Sequence, residues 1–526
     1  MKKITVFVFI GWVMLGISCK KYLDINTNPN QATSATPQGI LPQAITGTAS
    51  VLNGYNSYGA QLVGYSANAG GYGGFGTSIT YNFASSDFSG LWSGTYDNLE
   101  DYQAILNDTL TSQPQYLYFN AVARIMKAHN FQLLVDAYNN IPYTTALKGV
   151  GKLTPTYDDA ATIYASLASQ LDTAIALIHA ADTVTTVDVL PLGNTDVLFG
   201  ADMKKWIRFA NTLKLRLILH AQGKATFANT TFDGAGFLTD DALINPGFVR
   251  DNGKQNPAWS NWVFSYTGGA ANKAWMPNTF VFGFYDGHTL SDGGRGYTIY
   301  YQFPSTGTNR LGYESSSLKA SPDGSFWYAG SDRGGTSSGN STGILKGPNA
   351  GYPILTLAES DFLQAEAVIE GILPSGDATA LFNAGIAASF RYLYELPDGT
   401  VTGDPATDAA TYQSDNAGNA NGYLVDLSQA TSTAEQLEAI ITQKYLALNF
   451  INSHEAWNEY RRTHYPAINT ASSATAYETF VSTVSQSTRP DRLPTRILYP
   501  STEGSYNPTN VPKGISVFSS LIFWAQ

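Results

Sequence analysis

The sequence predicts a mainly α-helical protein, in which a helical-repeat scaffold carries one large loop-rich insertion. In several long segments, apolar residues recur every three or four positions, which is the pattern of an amphipathic helix with one buried face. Between about residues 223 and 353 this period disappears, and glycine, serine, asparagine and aromatic residues dominate. A scaffold that fixes a long irregular segment at its surface predicts that the irregular segment carries the binding groups.

Five segments show the helical period most clearly. They are residues 119–133, 164–178, 206–220, 358–369 and 437–448. Local signals support their ends: Ser432 with Glu435 forms a capping box, and Thr156 ahead of Asp159 marks a helix start. Gly371 is positioned to stop the helix that contains residues 358–369. Helices therefore flank the irregular segment on both sides.

The start of the chain predicts export and a lipid anchor. A basic start is followed by an uncharged apolar run at residues 4–17, which is typical of a signal peptide and too short to span a bilayer. Cys19 follows at once, and in bacterial lipoproteins a cysteine at this place is acylated and holds the protein in the membrane. Leu15 lies four residues before Cys19, where three is usual. The alternative is an ordinary cleaved signal with an incidental thiol, and we favour the anchor because Cys19 is the only cysteine, which also excludes disulfides.

The composition favours a neutral ligand. The formal charge is −11, and it becomes −13 when Lys2 and Lys3 leave with the signal peptide. An acidic chain without a basic cluster argues against nucleic acid as a partner. Charged residues make up 13% of the chain and aromatic residues another 13%, including 32 tyrosines. Flat rings cover the apolar faces of sugars, and amides and hydroxyls can bind their OH groups.

These observations predict five parts in the chain. Residues 1–18 are a signal peptide, 19–38 a lipid-anchored tether, 39–222 an N-terminal helical-repeat region, 223–353 the loop-rich aromatic insertion that binds ligand, and 354–526 a C-terminal helical region with an irregular tail. Small residues in LQAEAVIEG favour close packing of paired helices, although no 34-residue consensus repeats along the chain.

A series of stretches resembles one family. In order, they are YLDINTNPN (22–30), HNFQLLVDAYNNIPYTTAL (129–147), MKKWIRFANTLKLRL (203–217), GPNAGYPILTLAESDFLQAEAVIEG (347–371), EAWNEYRRTHYP (455–466) and LPTRILYPSTEGSYNPTN (493–510). The series resembles the SusD/RagB family of outer-membrane nutrient-binding lipoproteins, in particular its SusD-like branch. His464 replaces the usual glycine of the RRTGYP motif. The resemblance covers nearly the whole chain after the signal peptide.

The resemblance implies a fold, a location and partners. The fold would be a tetratricopeptide-like scaffold of four helical pairs. The protein would sit on the outer membrane, exposed at the cell surface and attached to lipid through Cys19. Its partner would be a SusC-like TonB-dependent β-barrel transporter, over which it closes as a lid. Members of the family bind oligosaccharides or polysaccharides, or in some cases peptides, and are not enzymes.

The carboxylates do not predict a catalytic site. Glu359 and Glu366 share one helix face, as do Glu455 and Glu459. A glycosidase needs two carboxylates flanking a cleft. We interpret both pairs as solvated faces or structural ion pairs. The arginines of RRTHYP, placed at a helix end, would bind terminal carbonyls.

No metal or cofactor is expected either. The histidines show no H-E-x-x-H spacing. His129 and His220 lie on apolar helix stripes, which predicts core positions. The glycine-rich YGGFG lacks the lysine of a phosphate-binding loop, so it is a loop. A calcium site from loop carboxylates such as Asp286 and Asp292 stays open.

Aromatic rings are the candidate ligand-binding residues. The candidates are Tyr72, Phe75, Tyr81, Trp259, Trp262, Tyr266, Trp275, Tyr285, Trp327 and Tyr328. The resemblance favours the first three, because the early loop and the central insertion frame the ligand surface in SusD-like proteins. Of the four tryptophans we expect only two or three rings to face ligand, and Trp92 to be core. The alternatives are a peptide-binding member of the same uptake system, a surface glycoside hydrolase, and a structural gate without ligand affinity.

Overall fold

The computed structural model describes residues 35–315, 317–318, 327–328 and 340–526 and is mainly helical. The predicted signal peptide, Cys19 and most of the predicted tether lie outside these residues.

The described chain forms helices of very different length, joined by short strands. In chain order the helices are α1 (Pro37–Leu62), α2 (Thr77–Thr80), α3 (Ser89–Asn107), α4 (Leu117–Tyr138), α5 (Ala160–Thr183), α6 (Met203–His220), α7 (Pro257–Trp262), α8 (Thr279–Phe282), α9 (Gly293–Ile299), α10 (Leu357–Ile369), α11 (Ala378–Tyr394), α12 (Pro405–Asn416), α13 (Thr433–Ala447), α14 (Ser453–Thr463) and α15 (Ser501–Tyr506). The strands are β1 (Ser66–Asn68), β2 (Ile141–Pro142), β3 (Tyr157–Asp158), β4 (Ala242–Ile244), β5 (Trp275–Pro277) and β6 (Tyr352–Leu355).

The long helices pack in a continuous series that forms the scaffold. Helix α1 packs against α3 and α14, α3 against α4, α4 against α5, and α5 against α6. Helix α6 then contacts α10, which packs against α11 and α13, and α13 reaches α14 again. All five predicted helical segments fall within this series. The prediction of a mainly α-helical protein is therefore confirmed.

Side-chain caps begin most scaffold helices. The side chain of Asp202 accepts a hydrogen bond from the backbone N–H of Lys205 at the start of α6, and Thr356 does the same for Glu359 in α10. Ser432 caps α13 as its capping box predicted. The cap of α5 is Asp159, which accepts from Thr162. At the end of α10, Gly371 adopts a φ of +74°, which confirms its role as a stop.

The sequence pattern did not reveal helix α1, which begins within the predicted tether. Pro37 occupies its first turn, where a missing N–H is harmless. Its 26 residues include Pro42 and several glycines, serines and asparagines, which weaken any helical signal. Tertiary packing determines the helix instead, because Leu41, Ile45 and Tyr55 are fully buried.

The irregular segment lies against the scaffold through short antiparallel ladders. Strand β4 pairs with β6, so the two ends of the segment meet. Strand β5 pairs with β1, which directly follows α1. One hydrophobic cluster contains both scaffold residues and aromatic residues of the irregular segment. The segment therefore shares its core with the helices.

Among the described helices, α5 is long and apolar enough to cross a membrane. It packs between α4 and α6, and its stripe of Leu167, Leu171 and Ile178 is buried in that contact.

Candidate functional site

The β1–β5 ladder brings two predicted ligand-binding regions together. Asn68 is opposite Trp275, and the backbone N–H of Ala69 donates to the carbonyl of Ala274 at 2.8 Å. The glycine-rich loop that follows β1 therefore lies beside the residues that precede β5. These two segments are about 200 positions apart in the sequence, so only the fold brings them together.

The glycine-rich loop stands away from the body of the protein. Gly71 and Gly74 both have a φ of +81°, a conformation that glycine adopts without strain. A side chain added at either position would meet no atom of the described residues within 4 Å. Between them Tyr72 is 42% exposed. Phe75 is half-buried and packs edge-on against Trp275, with the ring centroids 5.4 Å apart.

Hydrogen bonds from two asparagine side chains near the β1–β5 ladder position a further aromatic residue, Tyr313. The side chain of Asn68 donates to the carbonyl of Tyr313 at 3.0 Å and accepts from the N–H of Gly312 at 2.8 Å. The Asn309 side chain donates to the carbonyls of both Asn68 and Tyr313. These bonds fix the turn at Gly312, and the Tyr313 side chain is 50% exposed. The sequence analysis missed Tyr313, because no local pattern separates it from the other tyrosines.

We call the surface formed by Tyr72, Phe75, Trp275 and Tyr313 the aromatic ledge. Trp275 is half-buried, and each other tryptophan of the described residues is buried. The segment that carries Tyr72 and Phe75 is uncharged, because residues 25–86 contain no charged side chain, whereas Trp275 and Tyr313 have Lys273 and Glu314 close by in the sequence. Open ring faces next to an uncharged segment suit the apolar face of a neutral sugar.

Tyr266 lies on a neighbouring hairpin. The backbones of Phe264 and Ala270 form an isolated bridge that closes the hairpin, and the Tyr266 side chain is 44% exposed. Arg250 donates to the Tyr266 carbonyl at 3.1 Å. Tyr266 therefore remains an exposed candidate ring.

Burial corrects the prediction for six of the ten candidate rings. The six are Tyr81, Trp259, Trp262, Tyr285, Trp327 and Tyr328, each at most 6% exposed. A ring buried on both faces has no surface to offer a ligand in this conformation. The residues that remain accessible are Tyr72, Phe75, Tyr266 and Trp275.

Contacts with the scaffold account for this burial. Tyr328 stacks on Phe450, with centroids 4.2 Å apart, and Trp262 packs edge-on against the same Phe450 at 4.5 Å. The Tyr81 hydroxyl accepts a hydrogen bond from the N–H of Ser482. Tyr285 accepts one from the Asn449 side chain. Trp262, Tyr285 and Tyr328 therefore join the irregular segment to the turn between α13 and α14, which is a packing role.

The carboxylates of the scaffold form a buried charge network. Glu359 accepts from Arg216 at 3.0 Å, and Arg462 lies 2.6 Å from Glu366. The ammonium of Lys444 lies 3.0 Å from Glu455 and 2.6 Å from Glu459. All four glutamates are at most 3% exposed. The interpretation of these pairs as solvated faces is therefore wrong, and the alternative of structural ion pairs is confirmed.

His220 belongs to the same network. Its Nε2 lies 3.1 Å from Glu455 and 3.5 Å from Glu459. Burial lowers the pKa of His220, but the two carboxylates outweigh it and raise the pKa to about 9. Burial also acts on the Glu459 carboxyl, yet Arg462 and Lys444 hold its pKa well below the usual range. His220 and Glu459 are therefore both charged at neutral pH.

His220, Glu455 and Glu459 place their ligand atoms within 4.8 Å of one another, as a metal site would. The Lys444 ammonium already binds both carboxylates. A lysine in that position supplies the positive charge that a metal ion would otherwise bring.

The contacts also locate the charged residues of two further expectations. Asp292 caps α9 and pairs with Arg295 in the core, whereas Asp286 bonds to His288 at the surface. The arginines of RRTHYP lie at the end of α14. Arg461 donates to the carbonyl of Asp136 near the end of α4, and Arg462 binds carboxylates instead.

Comparisons with known proteins agree with the fold. Residues 29–236 match a SusD-like family described as starch-binding and associating with the outer membrane. Residues 342–520 match a second SusD-like family, described as SusD and RagB outer membrane lipoprotein. The interval between the two matches lies within the irregular segment. A search of curated proteins gave no match.

Solved structures with the same architecture were found. A chitin-binding protein shares 20% identity over 93% of this chain and 100% of its own, with a TM-score of 0.66. A SusD homologue from Bacteroides uniformis shares 21% over 93% and 99%, with a TM-score of 0.65. A chitin-binding SusD homologue from Flavobacterium johnsoniae shares 22% over 92% and 98%, with a TM-score of 0.62. These likenesses confirm the tetratricopeptide-like helical scaffold.

Proposed function

This chain belongs to the SusD/RagB family of outer-membrane nutrient-binding lipoproteins, and from that premise we propose that it captures a neutral oligosaccharide on its aromatic ledge. Proteins of this family bind nutrients. That this particular chain binds a glycan, releases it unchanged and has no catalytic activity is our proposal.

The observation that carries the proposal is the exposure of rings on and beside the uncharged segment 25–86. Tyr72, Trp275 and Tyr313 keep exposed surface although most aromatic side chains of the described residues are buried. Stacking of one ring on a sugar contributes about 1 kcal/mol. Three or four rings would therefore hold an oligosaccharide with modest affinity. Modest affinity suits a protein that must release its ligand.

The proposal includes a location and a partner. Cys19, acylated after cleavage of the signal peptide, anchors the protein on the cell-surface side of the outer membrane. A SusC-like TonB-dependent β-barrel transporter receives the oligosaccharide, and this protein acts as its lid. Support for this part comes from the family descriptions, which place related proteins at the outer membrane. Copurification of a β-barrel with the tagged lipoprotein would test the partner.

The test of ligand capture uses the lipid-free protein on a panel of polysaccharides and oligosaccharides. Chitin oligosaccharides and starch oligosaccharides come first, because similar proteins are described as binding chitin or starch. We expect the wild type to be retained by at least one glycan. The variant Tyr72→Ala/Phe75→Ala/Trp275→Ala should lose that retention with unchanged helicity. Tyr506→Ala, which removes a ring that is 77% exposed on α15, is the matched control.

The same panel separates the alternatives. Retention of the triple variant at the wild-type level would contradict the aromatic ledge as the site. New reducing ends in the incubated glycans would identify a hydrolase instead. Binding of peptides but of no glycan would place the protein in the peptide-binding branch. Copurification with the β-barrel but no binding of any ligand would support the structural gate.

A further inference from the structure

A second cavity lies in the helical scaffold, among α3, α4, α5 and the loop that follows β2. Its volume is about 330 Å³, which leaves room for about ten water molecules. The polar residues that line it are Gln103, Arg124, Lys127, Tyr143, Thr144, Lys148 and Gln170. We call it the basic cavity. It shares no lining residue with the aromatic ledge.

The positively charged side chains around the basic cavity are not neutralised by carboxylates in the described part of the chain. Arg124, Lys127 and Lys148 form no ion pair with any carboxylate of the described residues. In the same helical scaffold the buried Lys214 and Lys444 both have carboxylate partners, with Lys214 lying 2.7 Å from Asp172. The formal charge of the chain is −11. Three unpaired cations around one cavity are therefore a local reversal of the overall charge.

Uncharged amides hold two of the three cations, Arg124 and Lys127, in place. Arg124 donates from Nε to the side-chain oxygen of Asn120 at 2.7 Å and from Nη1 to Gln170. Lys127 donates to Gln103 and lies over the ring of Phe131, 5.7 Å from its centroid. These contacts orient the side chains and leave their charge available.

The two acidic residues near the basic cavity, Glu100 and Asp158, do not form ion pairs with its cations. Glu100 acts on Lys127 only through a weak long-range attraction, and its side chain is exposed. Asp158 accepts hydrogen bonds from the N–H groups of Tyr143 and Thr144 at 3.0 and 2.8 Å, and from the Thr144 hydroxyl. These hydrogen bonds direct the Asp158 side chain to the loop that follows β2.

The positive charge that no described carboxylate neutralises affects the pKa of Lys127. Burial lowers its pKa to about 8, and Arg124 and Lys148 act in the same direction. The Arg124 guanidinium is also disfavoured, because burial lowers its pKa. An anion in the basic cavity would reverse both effects, since opposite charge favours the protonated forms.

We propose that the basic cavity is a second binding site that takes a compact oxyanion, either free sulfate or phosphate or the acidic group of a charged sugar. The Arg124 guanidinium presents several N–H donors to such a group, while Lys127 and Lys148 supply point charges. The Tyr143 hydroxyl, 2.9 Å from Ser166, is a further donor at the rim. The site is independent of neutral glycan capture on the aromatic ledge.

Calorimetric titration of the lipid-free protein with sodium sulfate, sodium phosphate and glucuronate tests the site at constant ionic strength set with chloride. We expect saturable binding of at least one of these ions. Lys127→Met keeps the stem over Phe131 and removes the charge, so affinity should fall about tenfold, the effect of one charge-assisted hydrogen bond. Lys148→Met, at an exposed position, serves if Lys127→Met does not fold. Lys224→Met, which removes an exposed charge after α6, is the matched control.

Sulfate also gives a pH readout, because it stays fully ionised between pH 6 and pH 9. Its affinity should fall as pH rises through about 8, where Lys127 loses its proton beside Arg124, Lys148, Glu100 and Tyr143. Binding of glucuronate but not of inorganic anions supports the charged-sugar source, and the reverse pattern supports the free ion. The proposal is overturned if none of the three binds, or if Lys127→Met and Lys148→Met bind as tightly as the Lys224→Met control. Neither result affects retention of neutral glycans.

Discussion

The helical scaffold buries charged side chains, whereas the aromatic ledge exposes aromatic rings. In the scaffold, charged side chains such as Lys444, Glu455 and Glu459 are buried at helix–helix contacts. At the aromatic ledge, Tyr72 and Trp275 keep exposed surface, and the segment that carries Tyr72 has no charged residue between Asp24 and Asp87. Buried ion pairs are sensitive to geometry, so they favour one arrangement of the helices. Exposed rings beside an uncharged segment are suited to a neutral ligand that is held weakly.

The largest effect expected from this difference is on stability, and it concerns Lys444. Lys444→Met removes the ammonium that lies within 3.0 Å of both Glu455 and Glu459. Two buried carboxylates then lose a partner, so the free energy of unfolding should fall by about 5 kcal/mol. Denaturant unfolding followed by circular dichroism measures the loss. Lys205→Met, which breaks a half-exposed pair with Asp240, should change the free energy of unfolding by less than about 1 kcal/mol. Equal losses in the two variants would show that the buried charge network does not hold the scaffold.

Two tryptophans of the irregular segment sharpen the comparison. Trp262 is 6% exposed and packs on Phe450, so Trp262→Ala should lower the free energy of unfolding by about 4 kcal/mol through the cavity it leaves. Trp275 is half-buried at the ledge, so Trp275→Ala should lower it by about 1 kcal/mol and weaken glycan binding instead. Thermal unfolding measures the stability of the two variants, and glycan retention measures their binding. A larger stability loss in Trp275→Ala than in Trp262→Ala would reverse the assigned roles.

The buried charge network should also make stability depend on pH. The pKa of His220 is raised from 6.5 to about 9 in the folded protein by Glu455 and Glu459, which outweigh burial. Its contribution is fully present below pH 6.5 and is lost as pH rises to about 9, an effect on the order of 3 kcal/mol. Unfolding experiments from pH 6 to pH 9.5 measure it. His220→Gln should flatten the decline over this range. An unchanged slope in that variant would assign the decline to other groups.

The smallest effect concerns the ring that the sequence analysis missed. Tyr313→Ala removes one exposed ring, so affinity for the glycan should fall about fivefold while the free energy of unfolding stays within about 0.5 kcal/mol. Tyr297→Ala, which removes a 53% exposed ring on α9, is the matched control. Calorimetry on both variants would show whether Tyr313 belongs to the aromatic ledge.

Much of the fold could be predicted because helical period and caps are local signals. The apolar stripes predicted α4, α5, α6, α10 and α13. The Ser432 capping box predicted where α13 begins. Helix α1 could not be predicted in the same way. It contains Pro42 and small polar residues, and its stability depends on contacts with α3 and α14 that are distant in sequence.

The site was harder to predict than the fold. Composition indicated that rings would bind the ligand, but it could not say which rings remain open. Trp262 and Tyr328 both pack on Phe450, a residue more than 120 positions away, so their burial depends on tertiary contacts. Tyr72 and Phe75 were favoured by the resemblance to SusD-like proteins, and the structure leaves their rings accessible. Spacing also placed Glu455 and Glu459 on one face, but not the Lys444 that lies between them.

Fluorescence quenching by acrylamide tests the central claim most directly. Of the eight tryptophans in the described residues, only Trp275 is not buried, so it alone should be quenched readily in the mature protein. A retained glycan should protect it, and Trp275→Phe should show neither the quenching nor the protection. If the glycan binds and leaves the quenching of Trp275 unchanged, the ligand does not bind on the aromatic ledge and the account is contradicted.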